Sequence, residues 1–228
     1  MNEQQTLAKS ASAAVSRRRF LGYAGALAGV GLMAGTIGCR KDPDPLEGTI
    51  NLGSGDVGVL NLAYALEQIE AAFYTKVVLK PYNGATAAEI AYLTDIRDHE
   101  IAHRELYRKL LGTGAIQDLT PKFTGIDFNK RTSVLDTAKF FEDLGVSAYN
   151  GAAQLLSTDA FLELAGKIVS VEARHAALIR DLINMGSFTD PDSVDSSGQD
   201  FVRNPKDVVF LANAYIVEQL NPTNLPTS

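Results

Sequence analysis

Glu100-Ile-Ala-His103 and Glu172-Ala-Arg-His175 are two copies of one short motif in this chain. Each carries a carboxylate and an imidazole three residues apart, a spacing that puts both side chains on one face of an α-helix, about 5–6 Å apart at Cβ. A single glutamate inside another apolar helical pattern precedes the two stretches by 33 and 30 residues, at Glu67 and Glu142. We therefore interpret the chain as two copies of one helix pair, and each copy carries Glu and then Glu-x-x-His.

The residues around these positions support the duplication. When Glu67 is aligned with Glu142, a tyrosine follows each of them by seven residues, at Tyr74 and Tyr149. Apolar positions also coincide in this alignment: Leu60 with Leu135, Ala63 with Ala138, and Ile69 with Leu144. The second half of the chain is therefore a degenerate copy of the first.

The glutamates and histidines of this pattern form a candidate ligand set for two metal ions. The candidate ligands are Glu67, Glu100, His103, Glu142, Glu172 and His175. Mixed oxygen and imidazole ligands suit iron or manganese better than an ion that prefers thiolates. Unpaired carboxylates in the core of a bundle would cost a great deal of free energy, so either metal neutralises them or they face solvent. We predict two iron or manganese ions.

Glu70 is a rival to Glu67, because it lies three residues further along on the same helical face. Under the repeat, however, Glu67 corresponds to Glu142, whereas Glu70 corresponds to Gly145. We therefore predict that Glu67 is the ligand. Glu70 is expected either to support a ligand from beside it or to be a solvated neighbour.

Three other side chains near the candidate ligands have both a functional and an ordinary interpretation. Tyr74 and Tyr149 are either core tyrosines or hydrogen-bond partners of a ligand carboxylate, since each lies two helical turns after its glutamate. His99 has no counterpart in the repeat, where Val171 takes its place. We predict that His99 is a surface histidine.

Composition limits the class of protein. The chain has 228 residues, of which 46% are hydrophobic and 21% are charged, so it can form one domain with a sizeable core. Its formal net charge of −6 argues against nucleic acid as a partner. Cys39 is the only cysteine, so the chain can form neither an intrachain disulfide nor a multi-thiolate metal site.

Residues 1–38 are predicted to be a targeting segment and are excluded from fold reasoning. Ser16-Arg17-Arg18-Arg19-Phe20-Leu21 resembles the twin-arginine export motif, in which Arg17 and Arg18 would be the paired arginines. A weakly hydrophobic, glycine-rich stretch follows at 22–38. The alternative is a permanent transmembrane anchor, but this stretch is barely long enough to span a bilayer and its glycines weaken a helix.

Thr36-Ile37-Gly38-Cys39 resembles the cleavage box of a bacterial lipoprotein, in which the cysteine becomes the lipidated first residue. Thr36 departs from that pattern, where leucine is preferred. Residues 39–55 then form a polar linker. These features predict export by the twin-arginine machinery to the periplasm or envelope, with attachment to a membrane by a lipid anchor at Cys39.

Helical periodicity divides the rest of the chain. A four-helix bundle is predicted at 56–186, with helices at 56–78, 86–111, 133–156 and 158–185. The sequence signals for helix ends are capping spacings at Thr86–Glu89 and Ser133–Asp136, and stops at Gly112 and Gly186. An extension at 187–228 contains a short helix at 205–219, with Pro205 at its start.

Loop lengths predict the topology. The first and second helices, and likewise the third and fourth, are joined by short loops and should form antiparallel hairpins. Residues 112–132 are long enough to run the length of the bundle and to bring the second hairpin against the first with a pseudo-twofold relation.

Two phrases carry a resemblance to a known family. They are Leu-Asn-Leu-Ala-Tyr-Ala-Leu-Glu-Gln-Ile-Glu-Ala-Ala-Phe-Tyr (60–74) and Phe-Glu-Asp-Leu-Gly-Val-Ser-Ala-Tyr-Asn-Gly-Ala (141–152). Together with the ligand pattern, they resemble the ferritin-like domain of exported bacterial proteins and plant desiccation-related proteins, over about residues 56–185. The resemblance implies an all-α four-helix bundle with one long crossover. It also implies that Glu100 and Glu172 bridge two metals, that Glu67 and Glu142 are terminal ligands, and that His103 and His175 each bind one ion.

The resemblance does not select one reaction, because this fold hosts ferroxidases, peroxidases, oxygenases and manganese catalases. We expect oxidation of ferrous iron or removal of peroxide, with oxygen or peroxide as the small-molecule partner and homo-oligomer formation as an option. Storage inside a closed cage is disfavoured, because a tethered N-terminus hinders assembly of a large shell. The alternative is a non-enzymatic stress or structural protein of the envelope that keeps the fold.

Overall fold

The computed structural model describes residues 48–227. Its elements in chain order are β1 (Thr49–Asn51), α1 (Gly55–Leu79), α2 (Ala87–Leu111), α3 (Arg131–Ala153), α4 (Asp159–Ile183), α5 (Pro205–Ala212) and β2 (Gln219–Asn221). Single turns of 3-10 helix follow α2 and α5, at Gly112–Gly114 and Asn213–Tyr215. Arg17, Arg18 and Cys39, on which the export and lipidation predictions depend, lie outside the described residues. Between residues 48 and 227, no helix combines the length and the apolar character needed to cross a membrane.

The four long helices pack in pairs, as predicted. α1 contacts α2 along most of its length, and α3 contacts α4 in the same way. Connections of a few residues join the members of each pair, so each pair is an antiparallel hairpin. The prediction of an all-α four-helix bundle with one long crossover and a short C-terminal helix is confirmed.

The crossover between α2 and α3 runs along α1, which confirms the predicted path of the long loop. Asn61 near the start of α1 binds the backbone of the crossover at Gly114 and Ile116. Gln68, two turns later, accepts a hydrogen bond from the backbone N–H of Leu119. The ring of Phe73 then packs edge-on against Phe123. Because the crossover covers its outer side, α1 is buried almost all round.

Some of the predicted helix ends agree with the structure, and one does not. Thr86 and Glu89 form the predicted capping box of α2, and Gly112 ends that helix with a φ of 53°. The predicted cap at Ser133 is wrong, because α3 begins two residues earlier, at Arg131. The reason is tertiary: the Arg131 guanidinium binds Glu89 and the carbonyl of Leu182, which holds the extra residues in the helix.

The C-terminal extension packs on the bundle through α5. Asn204 caps this helix and Pro205 occupies its first turn, as the sequence indicates. The helix ends at Ala212, earlier than the predicted 219, because β2 follows and pairs in parallel with β1. That two-stranded sheet was not predicted, since its strands have only three residues each and are separated by nearly the whole described chain.

Candidate metal centre

The six candidate ligands come from all four long helices and meet in the centre of the bundle. Glu67 lies on α1 and Glu142 on α3, while α2 and α4 each contribute one Glu-x-x-His pair. All four glutamates are 0 % exposed. The ligand atoms form two overlapping groups: the His103 cluster (Glu67, Glu100, His103 and Glu172) and the His175 cluster (Glu100, Glu142, Glu172 and His175).

His103 is surrounded by three carboxylates. Its Nδ1 lies 2.9 Å from Oε1 of Glu172, 3.4 Å from Oε2 of Glu67 and 3.8 Å from Oε2 of Glu100. The side chain of His103 is 12% exposed, the most of any member of the two clusters. A buried imidazole nitrogen among carboxylate oxygens is an arrangement that a divalent ion can occupy.

His175 repeats this arrangement in the other half of the molecule. Its Nδ1 lies 2.8 Å from Oε1 of Glu100, 3.5 Å from Oε2 of Glu142 and 3.8 Å from Oε2 of Glu172. The three distances around His175 match the three around His103 to within 0.1 Å when each residue is replaced by its counterpart in the other half. The predicted pseudo-twofold relation therefore extends to individual atoms. Glu100 and Glu172 each direct one oxygen to His103 and the other to His175, which is the arrangement of carboxylates that bridge two ions.

The facing atoms of the two clusters have no hydrogen-bond partners. Within residues 48–227, nine buried side-chain nitrogen and oxygen atoms lack a partner. Eight of them belong to the six candidate ligands, and the ninth is the hydroxyl of Tyr82. Buried polar atoms are almost always hydrogen-bonded, because an unmade hydrogen bond costs about 1–3 kcal/mol. Two cations coordinated by the clusters would satisfy all eight atoms together, so the residues present fit a pair of metal ions.

Comparison with known proteins agrees with this geometry. The family model of the ferritin-like domain matches residues 55–185, which are α1 to α4 with their connections. The chain belongs to the ferritin-like domain family. No curated protein matches the sequence.

Each ferritin-like repeat supports the ligand of the other through a tyrosine. The hydroxyl of Tyr74 donates to Oε1 of Glu142, and the hydroxyl of Tyr149 donates to Oε1 of Glu67. The sequence placed both tyrosines near ligand carboxylates, but each binds the glutamate of the opposite repeat. These bonds leave Oε2 of Glu67 and of Glu142 directed at the imidazoles. Tyr107, which the sequence analysis did not single out, is also buried beside Tyr149 and Glu67.

Glu70 of the ferritin-like bundle is buried beside the ligands. Its side chain is surrounded by the carboxylates of Glu100, Glu172, Glu67 and Glu142, so it is a neighbour of the ligands and not a solvated group. The space that it occupies exists because residue 145 is glycine. A Cβ at Gly145 would lie 3.3 Å from Oε1 of Glu70 and 3.6 Å from Oε2 of Glu172.

His99 is exposed, as predicted, but it also contacts a candidate ligand. Its Nδ1 lies 2.9 Å from Nε2 of His175, and the two rings stack with centroids 5.2 Å apart. Burial, with the neighbouring imidazoles of His175 and His103, lowers the pKa of His99. A neutral His99 can accept a hydrogen bond at Nδ1. The repeat alone could not predict this contact, because the other half has no histidine at the corresponding position.

Crowding of acidic groups shifts their pKa values upward in the ferritin-like core. Burial, followed by repulsion from Glu100 and the other glutamates, raises the pKa of Glu70 far above its usual range. Burial likewise raises the pKa of Glu142 to about 7 and that of Glu100 well above its ordinary value. Glu172 differs: although burial opposes ionisation, its contacts with both imidazoles lower its pKa.

The two imidazoles respond in the opposite sense. Burial disfavours their charged form, but contacts with Glu100, Glu172 and Glu67 outweigh it and raise the pKa of His103 to about 12. The pKa of His175 is raised for the same reason, by Glu142 and Glu100. These shifts favour the protonated form of both imidazoles, so a metal ion that binds here competes with a proton for each histidine.

A separate cavity of about 300 Å³ lies between α3, α4 and the C-terminal extension. None of the six candidate ligands lines it. The buried arginine in its lining is already paired: Arg180, which is 1% exposed, binds Asp143 and Asp192. We therefore assign the chemistry of this ferritin-like domain to the two clusters in the bundle centre and a packing role to the Arg180 network.

Proposed function

We propose that this ferritin-like protein binds two iron or manganese ions, one in the His103 cluster and one in the His175 cluster. The observation that supports the proposal most strongly is the set of eight unpartnered ligand atoms in the bundle centre. Carboxylate-rich sites with one imidazole per ion suit iron and manganese. In this proposal Glu100 and Glu172 bridge the ions, while Glu67 and Glu142 each bind one.

We further propose that the reaction is oxidation of ferrous iron or removal of peroxide. A pair of redox-active ions supplies two electrons, which is the number needed to reduce the O–O bond of peroxide. The protein holds the ligands in place through Tyr74 and Tyr149 and excludes bulk water by burying the four carboxylates. Glu100 and Glu172 belong to both clusters, so they would hold the two ions next to each other, where a pair of ions could act on one small molecule.

The test is to purify the protein from its own host, determine its metals, and measure consumption of oxygen and of hydrogen peroxide with those metals in place. We expect turnover with iron or manganese bound. Glu163→Gln is a suitable control, since Glu163 is exposed on α4 and pairs only with Lys167. Bound metal without turnover would favour the alternative, a non-enzymatic protein of the envelope that keeps the ferritin-like fold.

We also propose that the protein is exported by the twin-arginine pathway and anchored through a lipid on Cys39. The support is the sequence Ser16 to Leu21 and the cleavage-box pattern that ends at Cys39. Replacing Arg17 and Arg18 by lysine should leave precursor in the cytoplasm. Cys39→Ser should abolish labelling by a radioactive fatty acid. Unchanged export would contradict the proposed twin-arginine pathway. Unchanged labelling would contradict the proposed lipid on Cys39.

A further inference from the structure

The two clusters share their bridging glutamates but differ in the residues around them. Each cluster has its own histidine, terminal glutamate and supporting tyrosine, so these parts are symmetric. Two residues of the first half break that symmetry: Glu70 corresponds to Gly145 in the repeat, and His99 corresponds to Val171. Only one of them, His99, lies against a residue of a single cluster, the ring of His175.

Glu70 favours neither cluster. A Cβ at Gly145 would lie 3.3 Å from Oε1 of Glu70, so this side chain faces its own counterpart in the repeat, near the pseudo-twofold axis. Its oxygens belong to neither group of candidate ligand atoms, and it lies among carboxylates of both clusters. The other asymmetric residue, in contrast, lies beside the His175 cluster.

His99 acts on the same cluster through the ring of His175. Nδ1 of His175 faces the carboxylates, so when this nitrogen binds an ion the remaining ring proton is on Nε2. Nε2–H then donates to Nδ1 of His99, at 2.9 Å. This fixes both the tautomer and the orientation of the ligand ring. In residues 48–227, no side chain makes the equivalent hydrogen bond to Nε2 of His103, and the side chain of His103 is also the more exposed, at 12% against 5% for His175.

We propose that the two metal positions are inequivalent: the His175 cluster binds its ion more tightly and fills first, with His99 as the residue that positions His175. This inference depends on the proposed binding of two ions. The His103 cluster therefore holds the ion that binds more weakly and exchanges. Supporting residues of this kind typically change metal affinity by 10–100-fold, so we expect a difference of at least tenfold between the clusters.

The test is an anaerobic titration of the full apo chain with Mn²⁺, following the free ion by its electron paramagnetic resonance signal. Glu67→Gln removes a ligand from the His103 cluster alone, and Glu142→Gln removes one from the His175 cluster alone. We expect Glu67→Gln to keep a tight ion and Glu142→Gln to keep only a weak one, with at least a tenfold difference in dissociation constant. Equal constants, or the reverse order, would overturn the proposal.

Variants of His99 test the positioning role. In the background of Glu67→Gln, His99→Phe should weaken the remaining ion by about tenfold or more, because the ring proton of His175 loses its acceptor. His99→Asn places an amide oxygen near the position of Nδ1 and should restore most of the affinity. In the background of Glu142→Gln, Val171→His should strengthen the ion in the His103 cluster. If His99→Asn binds as weakly as His99→Phe, His99 acts through packing and the positioning role is wrong.

Glu70→Gln separates the effect of Glu70 from that of His99. Because Glu70 lies among carboxylates of both clusters, this variant should keep the difference between the two dissociation constants, and Glu163→Gln, at an exposed site on α4, should change neither constant. Two ions of equal affinity in Glu70→Gln would mean that Glu70, and not His99, causes the difference. Two ions of equal affinity in the wild-type chain would overturn this inference and leave the proposed function intact. A chain that binds no ion at all would overturn both.

Discussion

Tyr149 on α3 donates its hydroxyl hydrogen bond to Oε1 of Glu67 on α1, and this bond joins the two halves of the repeat inside the core. Tyr74 on α1 does the same for Glu142 on α3. Because each terminal glutamate is held by the opposite half, the two copies cannot separate without breaking both hydrogen bonds. The duplication therefore couples the packing of the two hairpins to the arrangement of the ligands.

Tyr149→Phe should weaken metal binding in the His103 cluster by about tenfold or more, because Glu67 loses the bond that orients it. The apo protein should also lose about 1–3 kcal/mol of unfolding free energy, from the unsatisfied Oε1 of Glu67. Mn²⁺ titration and thermal denaturation measure the two effects. Tyr92→Phe is the matched control, since Tyr92 is 42% exposed and its substitution should change neither. Equal behaviour of the two variants would mean that Tyr149 only fills space.

The apo protein should become more stable as the pH falls from 7.5 to 5.5. The pKa of Glu142 is raised to about 7, and those of Glu70 and Glu100 are raised as well, above the value near 4.5 of an unfolded chain. In this window the folded state binds more protons than the unfolded state, so the unfolding free energy falls as the pH rises. Above pH 6.5, the raised pKa of His103, at about 12, likewise makes the unfolding free energy fall as the pH rises. The histidines therefore also make the apo protein more stable as the pH falls.

Thermal melts of apo and metal-loaded protein at both pH values check this expectation. The loaded protein should respond in the opposite way, because protons compete with the ions for the same ligands. Glu89 does not contribute to the pH dependence between pH 5.5 and 7.5, since hydrogen bonds from Thr86 and Arg131 outweigh its burial and lower its pKa to about 2. Glu100→Gln combined with Glu172→Gln should flatten the apo dependence. An apo midpoint that falls on acidification would mean that the carboxylates are solvated.

Two helical glycines give a prediction about packing. A Cβ at Gly151 of α3 would lie 1.8 Å from the carbonyl oxygen of Arg203, whereas a Cβ at Gly166 of α4 would meet nothing within 4 Å. Gly151→Ala should therefore destabilise the fold by about 1–3 kcal/mol, because the C-terminal extension must move. Gly166→Ala should stabilise it by up to about 1 kcal/mol through helix propensity. Urea denaturation measures both changes, and a neutral Gly151→Ala would show that the extension is not fixed against α3.

How far the sequence predicts the site depends on whether a feature is repeated. Glu-x-x-His occurs twice at helical spacing, and a lone glutamate precedes each copy, so the six candidate ligands, the bundle and the pseudo-twofold relation could all be predicted. The capping box at Thr86 and the stop at Gly112 were readable because they are local signals. Tyr74 and Tyr149 were located near ligands, but the choice of the opposite glutamate depends on how the two hairpins pack.

Features that occur only once were missed or misjudged. Gly145 is the repeat counterpart of Glu70 and argues only against Glu70 as the ligand; the structure adds that the two residues face each other, with a Cβ at 145 only 3.3 Å from Oε1 of Glu70. His99 was assigned to the surface because Val171 replaces it in the repeat, and its contact with His175 requires the relative rotation of α2 and α4. Pairing of β1 with β2 joins residues about 170 positions apart, and no local pattern reports a contact of that kind.

The number of ions bound per chain tests the central claim most directly. Apo protein is loaded anaerobically with ferrous iron or Mn²⁺, dialysed, and analysed for metal and protein together. We expect two ions per wild-type chain and none in the variant that combines Glu100→Ala with Glu172→Ala, since these two glutamates belong to both clusters. A wild-type chain without metal, or a double variant that still binds two ions, would contradict the assignment of the two clusters as a dinuclear metal centre.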